Sequence, residues 1–189
     1  VYHSVLHPQI EAMPHHWQKM HMEEALFTSG LDFTILQPCA YMQNILGAWK
    51  SIKAGRYVTP YRTSSRISIV DLEDIAKTAV KVMTQHGYEN AIFELAGPEP
   101  LTQLDVARDL SEALRAKVAA EEQPLEEWKR NALLNGMQES QAAILMKMFE
   151  YYDENGLVGN STTLKNILGH SPTSFNLFLE RILNSGEIH

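Results

Sequence analysis

The sequence predicts an α/β protein: the last strands of a parallel sheet, followed by a helical C-terminal annex. Three observations carry this prediction. Short apolar or β-branched runs at Val1 to Leu6, Phe33 to Gln37, Ile67 to Val70 and Ala91 to Ala96 alternate with helical stretches. The segment Phe33-Thr34-Ile35-Leu36 is too continuously apolar for a sheet with one wet face, and fits a central parallel strand covered on both sides. After Gln123 the strand candidates stop and helical segments alone follow.

Taken in order, the chain opens abruptly inside what reads as a buried strand, Val1 to Leu6, so its start reads as a cut. A helix is expected from about Pro14 to Ser29, ended by Gly30 in the position favoured just past a helix C-terminus. Asp71 can cap the next helix, whose apolar residues Leu72, Ile75, Ala76, Ala79 and Met83 recur at helical spacing. Thr102 with Asp105 resembles a capping box, after which Leu104, Ala107, Leu110 and Leu114 are expected on one face. The acidic run Glu121-Glu122, with Glu126-Glu127, reads as a solvated face. Helices are then expected near Pro124 to Asn135, Glu139 to Tyr152 and Pro172 to Asn184. The middle one places Leu145, Met148, Phe149 and Tyr152 on one stripe, and Gly156 and Gly159 with Asn155 and Asn160 mark a loop. The expected division is a sheet-bearing part at 1–120 and a helical subdomain at 121–189.

Composition excludes several function classes. The chain has 189 residues, 44% hydrophobic and 21% charged, which suits a folded domain rather than a disordered one. A formal net charge of −7 without a basic cluster argues against nucleic acid and against anionic membrane as partners. No apolar run approaches the roughly 20 residues that span a bilayer. The single cysteine, Cys39, cannot form an intrachain disulfide, and reads as a buried structural thiol in a reducing, cytoplasmic compartment.

The segments from Tyr2-His3-Ser4-Val5 through His15-His16-Trp17-Gln18-Lys19, then Gly30 to Pro38 and Tyr41-Met42-Gln43-Asn44, occur in a telling order. So do Val70-Asp71-Leu72-Glu73-Asp74-Ile75-Ala76, Leu95-Ala96-Gly97-Pro98-Glu99 and the tail from Gly136 to Phe175. Together they resemble the NmrA-like family of atypical short-chain dehydrogenase/reductases. The resemblance implies the C-terminal half of a Rossmann-type NAD(P)-binding domain with a helical substrate subdomain. Two departures stand out. Gln37 occupies a position where the family often has Arg, and the family's G-x-x-G-x-x-G turn, whose amides hold the pyrophosphate, has no counterpart here.

The resemblance implies roles for particular residues. Lys19 is the candidate to hold the nicotinamide ribose or to act as acid-base group, and His15, at i, i+4 from it, replaces the usual tyrosine and could relay a proton. Ser4 at the end of the first strand is similar to a substrate-orienting serine; a strand-end hydroxyl bonded to backbone is the plain alternative. Pro38, Tyr41 and Asn44 match the loop beside the nicotinamide, with a structural role in capping the next helix as the competing reading for Tyr41 and Asn44. Five histidines (His3, His7, His15, His16 and His21) crowd the first 21 residues, but their spacing does not suit a helical metal pair, and a polar helix surface is expected.

Three functional readings follow from the resemblance. The chain is part of an NAD(P)-dependent oxidoreductase, here inactive or incomplete because its glycine turn is absent. Alternatively it is a non-catalytic dinucleotide sensor, or a remnant that binds a small apolar ligand and self-associates. A homodimer is expected in each case, through an open sheet edge or an uncovered apolar face.

Overall fold

The structure, a computed structural model, describes residues 1–185. It is of the α/β class. The chain runs β1 (Tyr2–His3), α1 (Pro14–Phe27), β2 (Thr34–Pro38), β3 (Ala40–Tyr41), a 3-10 segment (Met42–Ala48), α2 (Trp49–Lys53) and β4 (Arg56–Thr59). It continues through β5 (Ile67–Val70), α3 (Leu72–Thr84), β6 (Ala91–Leu95), β7 (Pro100–Leu101), α4 (Gln103–Leu114) and β8 (Ala119–Glu122). Four helices close it: α5 (Leu125–Leu134), α6 (Glu139–Asn155), α7 (Thr162–Leu168) and α8 (Phe175–Asn184).

The main sheet has the order β1-β2-β6, all parallel, with Ile35 opposite both Tyr2 and Ile92. All five residues of β2 are buried, as its unbroken apolar character requires of a central parallel strand. The expected first strand is shortened to two paired residues. Its ladder still carries on, because Ser4 N–H donates to Leu36 O and Leu6 N–H to Pro38 O, each at 2.8 Å. A second small sheet places β5 between β3, parallel, and β7, antiparallel.

The parallel pair β4–β8 was not expected; the acidic run nevertheless keeps its solvated face, with Glu122, Glu126 and Glu127 exposed. Glu121 accepts from Arg56 Nε and Nη2 across the pair, and Glu122 accepts from Thr63 N–H at 2.7 Å. Two four-residue strands more than 60 positions apart leave no periodic signal in the sequence. α7 is likewise additional, seven residues beyond the glycine-marked loop.

Capping agrees with expectation: Asp71 accepts from Glu73 N–H, and Thr102 and Asp105 form a reciprocal capping box, each device contributing about 1 kcal/mol. α8 starts at Phe175 instead of Pro172 because Ser174 caps it, accepting from Leu177 N–H. The buried faces differ from those read by spacing. In α3, Leu72, Ala76 and Met83 face solvent while Ile75, Thr78 and Val82 turn inward. In α4, Leu104 faces out and Val106, Ala107 and Leu110 face in. Period sets the spacing of a stripe but not its phase; here the caps, with Asp71 itself fully buried, set the rotation.

The helical tail is laced to the sheet by backbone. Leu157 N–H donates to Arg66 O and Leu157 O accepts from Ser68 N–H at 2.7 Å, beside β5. Gly156, at φ 68°, makes this possible, since a Cβ there would lie 2.5 Å from Arg66 O. Gly97 is required for a different reason: a Cβ would meet Ile69 O at 1.9 Å, where the exit of β6 crosses β5. α8 packs Phe175, Phe178 and Leu179 against Val106 and Leu110 of α4 in one of two apolar clusters.

Candidate functional site

A cavity of about 870 Å³ lies where the carboxyl ends of β1 and β2 meet α5 and α6. That volume is ample for a drug-sized organic molecule, and the ends of parallel strands are where open α/β sheets place their ligands. Val5, Pro38, Cys39 and Ala40 form its floor, and the 3-10 segment contributes Met42, Asn44 and Ile45. The stripe expected on α6, Leu145, Met148, Phe149 and Tyr152, forms the opposite wall, joined by Trp128 of α5.

Of the six residues singled out in the sequence, His15, Pro38, Tyr41 and Asn44 line this cavity, and Ser4 and Lys19 do not. Ser4 is buried and its hydroxyl donates to Glu23 Oε1, a side-chain partner in place of the backbone one of the plain alternative. Gln37 completes that arrangement: its Nε2 donates to both oxygens of Glu23 at 2.9 Å. Glu23, on α1, is only 2% exposed, so two neutral donors from neighbouring strands hold a carboxylate in the interior. Gln37 thus has a specific partner, one that reading β2 alone could not supply.

Lys19 Nζ donates to His3 O at 3.1 Å and sits 5.2 Å from the centre of the Tyr2 ring. His3 in turn shares a 2.7 Å hydrogen bond between its Nε2 and the Tyr41 hydroxyl. Lys19 therefore braces the end of β1, and through His3 the side chain of Tyr41 in the cavity wall. Burial raises the Tyr41 phenol above its ordinary pKa, with Cys39 adding to the effect, so it stays protonated.

His15 and His16 stand side by side, rings edge to face at 4.6 Å, each with an Nδ1 that is sealed from water and without a partner. Burial, and then the neighbouring His15, push the His16 imidazole down to about 4; burial and the Lys19 ammonium lower that of His15. Both shifts favour the neutral imidazole. The described residues hold no cluster of three His, Cys, Asp or Glu side chains suited to a metal. Cys39 is buried, and burial pushes its thiol up to about 12, the state of a structural cysteine.

A second polar cluster fixes the 3-10 segment. Gln43 Nε2 donates to Asp71 Oδ1 at 2.7 Å, and Leu72 N–H donates to Gln43 Oε1 at 3.2 Å. Arg181 of α8 closes the cluster, with Nη1 to Asp71 Oδ2 at 2.6 Å and Nη2 to Oδ1 at 2.9 Å. Burial alone would raise the Asp71 carboxyl, but the hydrogen bonds from Arg181 and Gln43 outweigh it and hold it below the ordinary range. Asn44 is thereby positioned from the C-terminal helix, a connection invisible in linear spacing.

A parallel sheet with a cavity at its carboxyl ends and a helical cover is the arrangement of the last strands of a doubly wound α/β fold. The chain belongs to the NmrA-like family, whose model matches residues 2–179. It is 30% identical over 151 residues to the NAD(P)H azoreductase of Xenophilus azovorans, covering 79% of this chain and 52% of that protein. It is 25% identical over 186 residues to quinone oxidoreductase 2 of Escherichia coli, covering 97% and 64%. Its fold matches that of the NADPH complex of an E. coli NADPH-dependent quinone oxidoreductase with a TM-score of 0.85, at 22% identity, over 97% of this chain and 65% of the other. NmrA, a negative transcriptional regulator solved with NADP, matches with a TM-score of 0.71 at 12% identity, over 99% and 66%. The chain thus spans about half to two thirds of the length of these relatives.

Proposed function

We propose that this chain carries the nicotinamide side and the substrate side of an NAD(P)H-dependent oxidoreductase site, and that by itself it holds the dinucleotide too weakly to turn over. The observation that carries the first half is the cavity at the carboxyl ends of β1 and β2, walled on one side by the Pro38–Asn44 stretch and on the other by the helical annex. A flat nicotinamide ring fits against Pro38 and Tyr41, with the Asn44 amide within the same wall, and bound NAD(P)H would supply hydride to a molecule in the remainder. Within this reading Lys19 is a positioning residue, acting through His3 on Tyr41, and His15 is a neutral wall residue.

The second half rests on what the residues do not fit. A pyrophosphate needs converging backbone amides at a glycine turn, and Gly47, Gly55, Gly87 and Gly97 are isolated from one another in the sequence. Titration of NADPH fluorescence tests the proposal. Millimolar or absent binding is expected for this chain, and submicromolar binding would refute the claim that its site is half built.

A further inference from the structure

The sequence contains two Asn-Gly pairs, Asn135-Gly136 and Asn155-Gly156, and each closes a helix, α5 and α6 respectively. This dipeptide carries a reaction of its own. Glycine has no Cβ to hold its backbone nitrogen away from the preceding side chain, so the nitrogen can reach the asparagine Cγ. The fold gives the two pairs opposite surroundings.

Asn155-Gly156 is locked. Gly156 is buried, and its N–H donates to Tyr152 O at 3.0 Å. Leu157, the next residue, is 3% exposed and is bonded through its N–H to Arg66 and through its carbonyl to Ser68. Turning the Asn155–Gly156 peptide toward the side chain breaks all three hydrogen bonds and draws Leu157 out of the core.

Asn135-Gly136 is exposed at both residues. Gly136 N–H donates to Leu133 O and Met137 N–H to Ala132 O, each at 3.0 Å, so the peptide is held by the preceding turn. That turn belongs to α5, which has no buried residue, and fraying it uncovers little. No atom lies within 4 Å of where a Cβ on Gly136 would stand, which leaves room for the rearrangement.

We propose that Asn135 is a site of spontaneous deamidation and backbone isomerisation, and that the carboxylate formed there, at the rim of the cavity, loosens α5. The Gly136 nitrogen bonds to Asn135 Cγ and gives up its proton, the Cγ–Nδ2 bond breaks, and ammonia leaves with that proton. Water then opens the five-membered imide. Opening at Cγ yields aspartate, and opening at the backbone carbonyl yields isoaspartate, whose main chain runs through the former side chain. Asn135 lines the cavity near Trp128, and no lining residue is an acid, a lysine or an arginine, so the product gives this wall a charge it otherwise lacks. The same charge stands at the C-terminus of α5, where the helix dipole opposes an anion.

The test is peptide mapping by mass spectrometry on protein aged in heavy-oxygen water at mildly alkaline pH, since each hydrolysis takes up one water oxygen. In the native protein Asn135 is expected to react at least about thirtyfold faster than Asn155, because one more hydrogen bond and the buried Leu157 side chain hold the second pair. In urea, with the structure gone, the two rates should agree within about threefold. Asn135→Asp carries the charge on an unaltered backbone, and should speed trypsin cleavage after Lys129 and Arg130 about threefold, the effect of one anion at a helix C-terminus. A native rate ratio below about fivefold, or a ratio in urea as large as the native one, would overturn the assignment of Asn135 by its surroundings. An Asn135→Asp protein cut no faster than wild type would overturn the loosening of α5.

Discussion

Arg181→Met tests the polar cluster that joins the C-terminal helix to the cavity wall. Asp71 has no exposed surface, and the substitution removes its two shortest charged contacts, at 2.6 and 2.9 Å, leaving Gln43 and the Glu73 amide as donors. Stranding a buried carboxylate costs roughly 3–5 kcal/mol where the lost partner is itself buried. Arg181 is about a third exposed, so water can replace part of what it gave, and about 2 kcal/mol is expected. For a chain of this size that corresponds to a melting temperature lower by about 4–8 °C at pH 7. The sign of the pH dependence follows from the direction of the Asp71 shift. Its folded-state pKa is depressed below 3.8, so the stabilisation is complete above that value and is lost as pH falls through the folded pKa. The gap between wild type and Arg181→Met, measured by urea denaturation, should therefore be widest near neutrality and shrink below about pH 4. Asp71→Asn combined with Arg181→Met should cost less than Arg181→Met alone, since no charge is stranded. A gap of less than 0.5 kcal/mol at pH 7, or one unchanged at pH 3, would refute the reasoning.

Gln37→Leu strips Glu23 of both amide hydrogen bonds and should destabilise the fold by about 2 kcal/mol, read as a lower urea midpoint; an unchanged midpoint would mean that Glu23 finds other donors. Cys39, buried with its thiol pushed up to about 12, should resist an aromatic disulfide reagent at pH 8 for hours in the native protein and react within seconds in urea; native labelling within minutes would contradict its burial. β1 is an edge strand of the main sheet, and Val1 just before it, Met22 and Phe27 on α1 and Leu31 in the loop after α1 are exposed apolar residues. A second copy is expected to cover this surface, giving twice the chain mass by light scattering at micromolar concentration, and a monodisperse monomer would rule that out.

Local features of the fold are legible in the sequence and long-range ones are not. Ile67 to Val70 coincides with β5 residue for residue, and the caps at Asp71 and Thr102 sit where their side chains demand. Each of these is decided within a few residues. The partner of Ser4 is 19 positions away and that of Gln37 is 14, on a helix whose buried residues are His16 and Glu23 while Met22 and Phe27 face water. A helix with polar residues inside and apolar ones outside offers no stripe to read. Helical spacing sets Lys19 beside His15, but its hydrogen bond goes to the carbonyl of His3 at the end of β1, which lies within its reach. The α6 stripe was legible as a stripe and not as a wall, since helical spacing is the same for a core face and for one bordering a cavity.

Leu157 gives the cavity a stitched seam. The two backbone hydrogen bonds that join it to Arg66 and Ser68 tie the end of α6 to the strand beneath, so the annex cannot swing away from the sheet as a hinged jaw without breaking them. An opening of the annex would cost those two hydrogen bonds, whereas side-chain and loop motion at the open rim would leave them intact. A molecule that bound only while the seam was closed would add its own binding free energy to the stability of the fold.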